Sequence, residues 1–408
     1  MKEILKQSSW LIMAQVLTRI VGFFYTIFLA KNLGVSDFGL YSAALAYFSI
    51  VSSAAEFGFT RFLVREVARS SEKATSLCAS ISCLRLTFTT VLFAVFSVIL
   101  YFLDPDKIRV SITLLAVLAV VPQAVNLTFD GIFMAIRKLE YSSISLIVLS
   151  FSTTILGMAM INSGFGPTGA VTALVWGQLF YLVLQAFFLK KLRLHLSLDV
   201  NWKNLKQIIK GSLPYGLIGI LGLLYFRIDT LILSYMKGNF ETGLYGAAYK
   251  FLEALVFIPA ALSTAIFPVL AKLHETDKNQ VKKIYFKSLK VLFLLSLAVV
   301  GGYLLILPVI VQTFLPGYIP AIKAIQILSF AIPFLFCHFP AVQVLFSSDK
   351  YLKTILAFSV ILLSLNICLN LIFIPQYGYL AASWITVASE ALSFIIFFIF
   401  LMTKVLKS

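Results

Sequence analysis

The chain has 408 residues, of which 60% are hydrophobic and 12% charged, where a soluble domain carries about 25% charged residues. With a mean hydropathy of +0.98, so much apolar surface cannot be hidden inside one fold, which excludes a soluble globular protein and makes lipid part of the solvent. The net charge of +16 is not a nucleic-acid signal, because its placement follows the apolar runs rather than one basic domain.

A spanning helix needs about 20 apolar residues to cross a hydrocarbon core of roughly 30 Å. Runs of that length predict twelve spans, at 8–30, 39–59, 82–103, 109–135, 142–162, 169–189, 212–236, 243–270, 289–312, 320–346, 353–374 and 379–403. Span 1 is too long for a signal-peptide core and lacks a small-residue cleavage site, so it is expected to be retained. It carries Arg19 midway. Span 2 ends near Glu56, and Arg61, Arg65 and Arg69 follow at every fourth residue. That spacing predicts a short helix with one basic stripe, facing headgroups or drawing in an anionic lipid head. Arg85, at the start of span 3, is expected to snorkel to the interface.

Asp104-Pro105-Asp106 has the form used by sugar-nucleotide transferases, but it falls in a short outer turn where nucleotide sugars are absent. Asn126-Leu127-Thr128 is a glycosylation sequon inside span 4, which also holds Asp130. A polar stretch at about 190–210 follows span 6. Span 7 contains Arg227 and Asp229, which two residues apart point to different sides of a helix. Pro214, Gly216 and Gly222 suggest that this span bends. On span 8, Lys250 and Glu253 are spaced to pair on one face. His274-Glu275-Thr276-Asp277, in the polar stretch 272–290, opens like a zinc protease motif but lacks its second histidine. His338 in span 10 reads as a packing residue, and Glu390 lies in span 12. Cys78, Cys83, Cys337 and Cys368 make no CxxC pair and read as small hydrophobes. Neither a Walker A motif nor GxGxxG occurs, so no nucleotide or dinucleotide site is expected. No catalytic residue or metal site stands out, which favours transport over catalysis.

With the N-terminus placed in the cytoplasm, 24 of the 33 lysines and arginines fall in cytoplasmic segments and 5 outside, the other four being Arg19, Arg85, Arg227 and Lys250 in spans. This is the positive-inside pattern. It predicts an even number of spans in the cytoplasmic membrane, with both termini cytoplasmic.

The two halves resemble each other. Gly39-Leu40-Tyr41-Ser42-Ala43-Ala44 recurs 204 residues later as Gly243-Leu244-Tyr245-Gly246-Ala247-Ala248, and Phe165-Gly166 is echoed by Tyr377-Gly378. The expected fold is an all-α integral membrane protein of twelve transmembrane helices. Residues 1–200 and 201–408 each form a six-helix bundle, related by a parallel pseudo-twofold repeat about the membrane normal. Transporters often bind substrate between such halves.

A charge at a span's centre costs about 2.5–3.5 kcal/mol on insertion scales, so it needs a partner or a wet cavity. Arg19, Arg227 and Lys250 are therefore candidates for substrate binding. Glu56, Asp130, Asp229, Glu253 and Glu390 are candidates for coupling to H⁺ or Na⁺. A structural ion pair is the alternative for each.

Leu33-Gly34-Val35-Ser36-Asp37-Phe38-Gly39-Leu40-Tyr41, then Glu56-Phe57-Gly58 and Leu63-Val64-Arg65-Glu66-Val67-Ala68-Arg69, resemble the start of the polysaccharide-biosynthesis flippase family. Arg227-Ile228-Asp229-Thr230, Ala248-Tyr249-Lys250 and Ile374-Pro375-Gln376-Tyr377-Gly378 are similar to its second half. That family includes O-antigen flippases within the multidrug/oligosaccharidyl-lipid/polysaccharide exporter superfamily. The resemblance implies two six-helix bundles that move a polyprenyl-pyrophosphate-linked oligosaccharide to the outer leaflet by alternating access. It implies membrane lipids and polysaccharide assembly proteins as partners, and no cofactor beyond a coupling ion. Two other readings stay open: an H⁺- or Na⁺-coupled drug antiporter of the same superfamily, which would want an acidic cavity, and a membrane-embedded polymerase or ligase for lipid-linked sugars, which would want a large outer loop.

Overall fold

A computed structural model describes residues 2–69, 74–192, 205–274 and 276–407. Lys73, Arg193, Lys203, Glu275 and most of the polar link after span 6 lie outside the described residues, as does the side chain of Arg69. The described chain is helical, with no strand among the described residues. Apolar backbone that meets lipid must satisfy its hydrogen bonds within its own segment, and only the helix does this.

Two compact units divide the chain, 1–223 and 224–408. The first holds α1 (Lys2–Glu56), α2 (Phe59–Arg69), α3 (Ala74–Leu103), α4 (Lys107–Leu118), α5 (Val120–Ala135), α6 (Leu139–Asn162), α7 (Gly166–Lys191) and the beginning of α8 (Leu205–Leu255). The second holds the rest of α8, then α9 (Phe257–Leu273), α10 (Lys278–Leu305), α11 (Leu307–Phe314), α12 (Ala321–Ser329), α13 (Ile332–Phe346) and α14 (Leu352–Phe400). The boundary thus falls inside α8 rather than in the polar link. The reason is packing: Ile208 on the first turns of α8 is buried in one core with Phe59, Phe62 and Leu63 of α2 and Phe188 and Leu189 of α7.

Three helices carry a backbone break at a glycine: α1 at Gly34 (φ 75°), α8 at Gly238 (φ 79°) and α14 at Gly378 (φ 58°). Positive φ is open to glycine at little steric cost. The helix assignment runs on through Pro214, and the non-helical residue within α8 is Gly238. The loss of one backbone bond at proline does not end the helix. Among the described residues eight helices are long and apolar enough to cross a membrane, or nine when α12 and α13, bent by 45°, count as one. Large apolar side chains such as Phe102 and Leu305 stand outward on them, 79% and 76% exposed. Helices with apolar residues outside as well as inside are membrane spans.

The core of unit 1 is built on Phe59, Leu63, Ile81, Phe129, Phe133 and Ile208. That of unit 2 is built on Leu270, Val281, Tyr285, Val344, Leu362 and Phe397. Cys78 and Cys337 are buried, Cys83 is half-buried, Cys368 is exposed, and all four are free thiols. Asn126 is also buried, its amide donating to Gln178 at 3.0 Å, so its sequon is a packing coincidence.

At the turn between α3 and α4, Asp104 takes two bonds from Arg109, Nε at 2.7 Å and Nη2 at 2.6 Å. Asp106 caps α4 by accepting from the Ile108 and Arg109 amides, both at 3.1 Å. The Asp-Pro-Asp turn is thus a staple and a helix cap, which accounts for both of its carboxylates.

Candidate functional site

Unit 2 gathers the charged and polar groups of its spans into two adjoining places. Beyond its break at Gly238, α8 folds back, which brings Arg227 and Asp229 on its first segment beside Tyr245, Tyr249, Lys250 and Glu253 on its second.

The first place is an ion triad. Arg227 Nη2 lies 2.6 Å from Glu253 Oε1, and Lys250 Nζ lies 2.9 Å from Glu253 Oε2. One carboxylate holds two cations, leaving a net charge of +1. The side chains are 15% (Arg227), 25% (Lys250) and 37% (Glu253) exposed, so the triad opens to the surface of the unit. The Arg227 Nε–H is buried and has no acceptor among the described residues. An orphaned donor beside a surplus cation can donate to a phosphate oxygen, for which a guanidinium is well shaped.

The second place is a small polar pocket. It is lined by Tyr225, Asp229, Tyr249, Asn366, Thr386, Ser389 and Glu390, and has room for about one water-sized occupant. Asp229 accepts from the Tyr245 hydroxyl and from the Thr230 amide at 2.7 Å, and Thr386 Oγ1 is 3.4 Å away. Asn366 Nδ2 donates to Ser389 Oγ at 3.1 Å, and Asn370 Nδ2 donates to Asn366 Oδ1 at 2.9 Å. Asp229 and Glu390 are 3% and 4% exposed, and neither is within ion-pair distance of a lysine or arginine among the described residues. Two buried carboxylates with hydroxyl and amide oxygens around a water-sized space can hold a proton or a hard monovalent cation. No cluster of three His, Cys, Asp or Glu suited to a metal ion occurs among the described residues.

The two sides of α8 therefore separate Arg227 from Asp229, as their spacing predicts. Lys250 and Glu253 pair with each other, and Arg227 joins them. The remaining candidates lie in unit 1. Arg19 is exposed on α1. Glu56 caps α2, accepting from the Gly58 amide at 2.7 Å and the Thr60 amide at 3.2 Å. Asp130 accepts from the hydroxyls of Ser142 and Tyr181 and from Gln185 Nε2 at 2.7 Å.

Arg85 does not snorkel. Its side chain is fully buried, donating to Thr128 Oγ1 and Thr60 Oγ1, each at 3.0 Å, and lies 3.9 Å from Glu56. Helix α3 begins at Ala74, so Arg85 sits three turns inside it, beyond a comfortable reach to water. His338 is packed against Phe397 and bonds to Ser393 at 3.0 Å.

Tyr245, Asn366, Thr386 and Ser389 escaped the sequence reading. Uncharged polar residues are common in spans, and only their i, i+4 stripes mark them: Asn366 with Asn370, and Thr386 with Glu390.

The polysaccharide biosynthesis protein family matches residues 4–274 of the chain, and the MatE family matches residues 214–372. The chain is 24% identical over 404 residues to a protein of Haloferax volcanii named as the probable flippase AglR, spanning 97% of this chain and 83% of that one. It is 25% identical over 315 residues to a putative O-antigen transporter of Shigella flexneri, 73% of each chain. Its fold is that of the lipid II flippase MurJ in an inward closed conformation, with a TM-score of 0.77 at 16% identity over 96% of this chain and 87% of that one. These relatives are named for flipping and transport, and no catalytic family is among the matches. With two thirds of its length covered by that one family, this multi-pass membrane chain belongs to the polysaccharide biosynthesis proteins.

Proposed function

We propose that the protein flips a polyprenyl-pyrophosphate-linked oligosaccharide from the cytoplasmic to the outer leaflet of the cell membrane, for export of a surface polysaccharide. The observation that carries this reading is the triad of Arg227, Lys250 and Glu253, with its net positive charge and the free Arg227 Nε–H. In a transmembrane bundle, a surplus cation near the surface of a unit calls for an anionic ligand. The pyrophosphate would bind there, while the polyprenyl tail stays in lipid; Arg19, on unit 1, is a separate candidate contact for the substrate. The names of the relatives support the substrate class.

Twelve crossings in two parallel six-helix bundles, 1–200 and 201–408, suit this activity. A straight helix as long as α1, 55 residues, would reach about 80 Å, far more than the hydrocarbon core. Each of α1, α8 and α14 is thus read as two crossings joined at its glycine. The repeat reading gains support from matching details: Gly34 and Gly238, 204 residues apart, share φ values of 75° and 79°. Three residues after each stands an acid, Asp37 beside Gly166 and Glu241 beside Gly378. The repeat is unequal at one point, since Asp229 corresponds to Tyr25 and so the acidic pocket belongs to the second half alone.

Asp229 and Glu390 are the coupling residues in this account, binding H⁺ or Na⁺ in their pocket to drive alternating access. Glu253 is a charge partner of the substrate site, Glu56 a helix cap, and Asp130 a buried acceptor in unit 1. The match of the MatE family to residues 214–372, which hold Tyr225, Asp229, Tyr249 and Asn366 of the pocket's lining, favours a second reading as a cation-coupled drug antiporter. Lipid-linked oligosaccharides in a deletion strain separate the two. Accumulation on the inner leaflet supports the flippase. Unchanged lipid-linked pools with altered drug sensitivity support the antiporter, and unpolymerised units already outside point to an enzyme.

A further inference from the structure

The basic stripe on α2 has a partner that its sequence does not reveal. In α2, Phe59, Phe62, Leu63 and Val67 are buried while Arg61 and Arg65 are exposed. The buried side packs on the first turns of α8 within unit 1, where Ile208 and Ser212 are fully buried. The two helices run antiparallel. Arg61 lies over the ring of Tyr215 at 5.3 Å, and one turn along, Arg65 lies over Phe62 at 5.6 Å. The Phe62 ring fits because residue 211 is glycine: a Cβ there would come within 2.7 Å of the ring, and 3.6 Å from Arg65 Nη2. On the same segment of α8, Lys206 and Lys210 are exposed. These lysines lie on the side of α8 away from buried Ile208, so the ledge against α2 carries two cations, Arg61 and Arg65. The neighbouring acid, Glu66, takes Arg65 through Nε at 3.3 Å, one of five N–H donors of that guanidinium.

Position supplies the ligand. Helix α2 joins the end of α1 to the start of α3, both of them apolar spans. It is therefore held at the level of lipid headgroups, where phosphate is always within reach. Arginines stacked on aromatic rings lose less side-chain freedom on binding, and a pair spaced i, i+4 stands about 6 Å apart. A guanidinium pair in that arrangement suits phosphate oxygens.

We propose that the ledge formed by α2 and the first turns of α8 is a binding site for the phosphate headgroup of an anionic membrane lipid, gripped by Arg61 and Arg65. The proposal is independent of what the protein transports. It differs from a general attraction of basic loops to the bilayer in assigning one site to two named side chains.

The test is native mass spectrometry of the full chain, titrated with phosphatidylglycerol or with phosphatidylcholine. The doubly substituted R61A/R65A protein should bind its first phosphatidylglycerol about thirtyfold more weakly, with phosphatidylcholine unaffected. R65Q alone, which keeps the side chain's length and polarity, should lose about fivefold. Removing an equally spaced exposed pair on α10 (K283A/K287A) should change binding less than twofold. Wild-type affinity in R61A/R65A and R65Q would overturn the site, and so would an equal loss in K283A/K287A, which would leave only diffuse charge attraction.

Discussion

Arg85 is the side chain with most at stake in unit 1. It is fully buried, bridges α2, α3 and α5 through Thr60, Thr128 and the Ala124 carbonyl, and lies 5.5 Å over the Phe59 ring. Removing it leaves buried acceptors without a donor and Glu56 without its nearest cation, each a known source of large destabilisation. Arg85→Ala should lower stability by about 3 kcal/mol, read as a fall in thermal midpoint in detergent. The Asp104–Arg109 pair is comparable. Arg109→Ala leaves a buried carboxylate and should cost about 3 kcal/mol, whereas Asp104→Asn keeps one acceptor and should cost about half of that. At this scale the sequence marks which charges are embedded but not what they meet. Spacing alone pairs Lys250 with Glu253. Arg227 reaches the same carboxylate only because the chain turns back at Gly238, and Arg85 meets Thr60 and Thr128 through tertiary packing that no local pattern encodes.

The helices are the most legible level. Apolar runs foretell where lipid-crossing segments lie, because length and hydropathy alone decide that a segment can span. The breaks are subtler. Gly34, Gly238 and Gly378 were visible as short turns between spans, yet the chain stays helical on both sides of each. Span 10 resolves into α12 and α13 with a 45° bend, which its hydropathy does not register. The glycines are not equal. A side chain at Gly34 meets nothing within 4 Å, while one at Gly378 would collide with Glu241, whose Oε2 accepts from the Tyr379 amide at 2.9 Å. Gly34→Ala should therefore cost only the strain of positive φ, about 1 kcal/mol. Gly378→Ala adds the displacement of a helix-capping carboxylate and should cost at least about 2 kcal/mol. Thermal unfolding of the two variants side by side gives the difference.

For the whole molecule, division of labour within unit 2 is the central feature. The triad presents positive charge at the unit's surface, and the acidic pocket is buried behind the same helix, on its other side. Asp229→Asn and Glu390→Gln remove the pocket's charge without touching the triad. In proteoliposomes they should abolish acceleration of transport by an imposed H⁺ or Na⁺ gradient while leaving substrate binding within about twofold. Loss of binding in these variants would instead merge the two places into one site. The sequence alone supplied both sets of charges, but not their separation. Asp229 and Glu390 are 161 positions apart, and what joins them is the packing of α8 against α14, with Asn366, Thr386 and Ser389 filling the space between.

The most direct measurement is export of surface polysaccharide in a deletion strain complemented with wild type, Arg19→Ala, Arg227→Ala, Lys250→Ala, or Arg227→Ala with Lys250→Ala, at matched membrane abundance. The double variant should abolish export, Arg227→Ala alone should lower it at least about tenfold, and inner-leaflet lipid-linked oligosaccharide should accumulate in each. Full export by the double variant at wild-type abundance would contradict the proposed role of the triad.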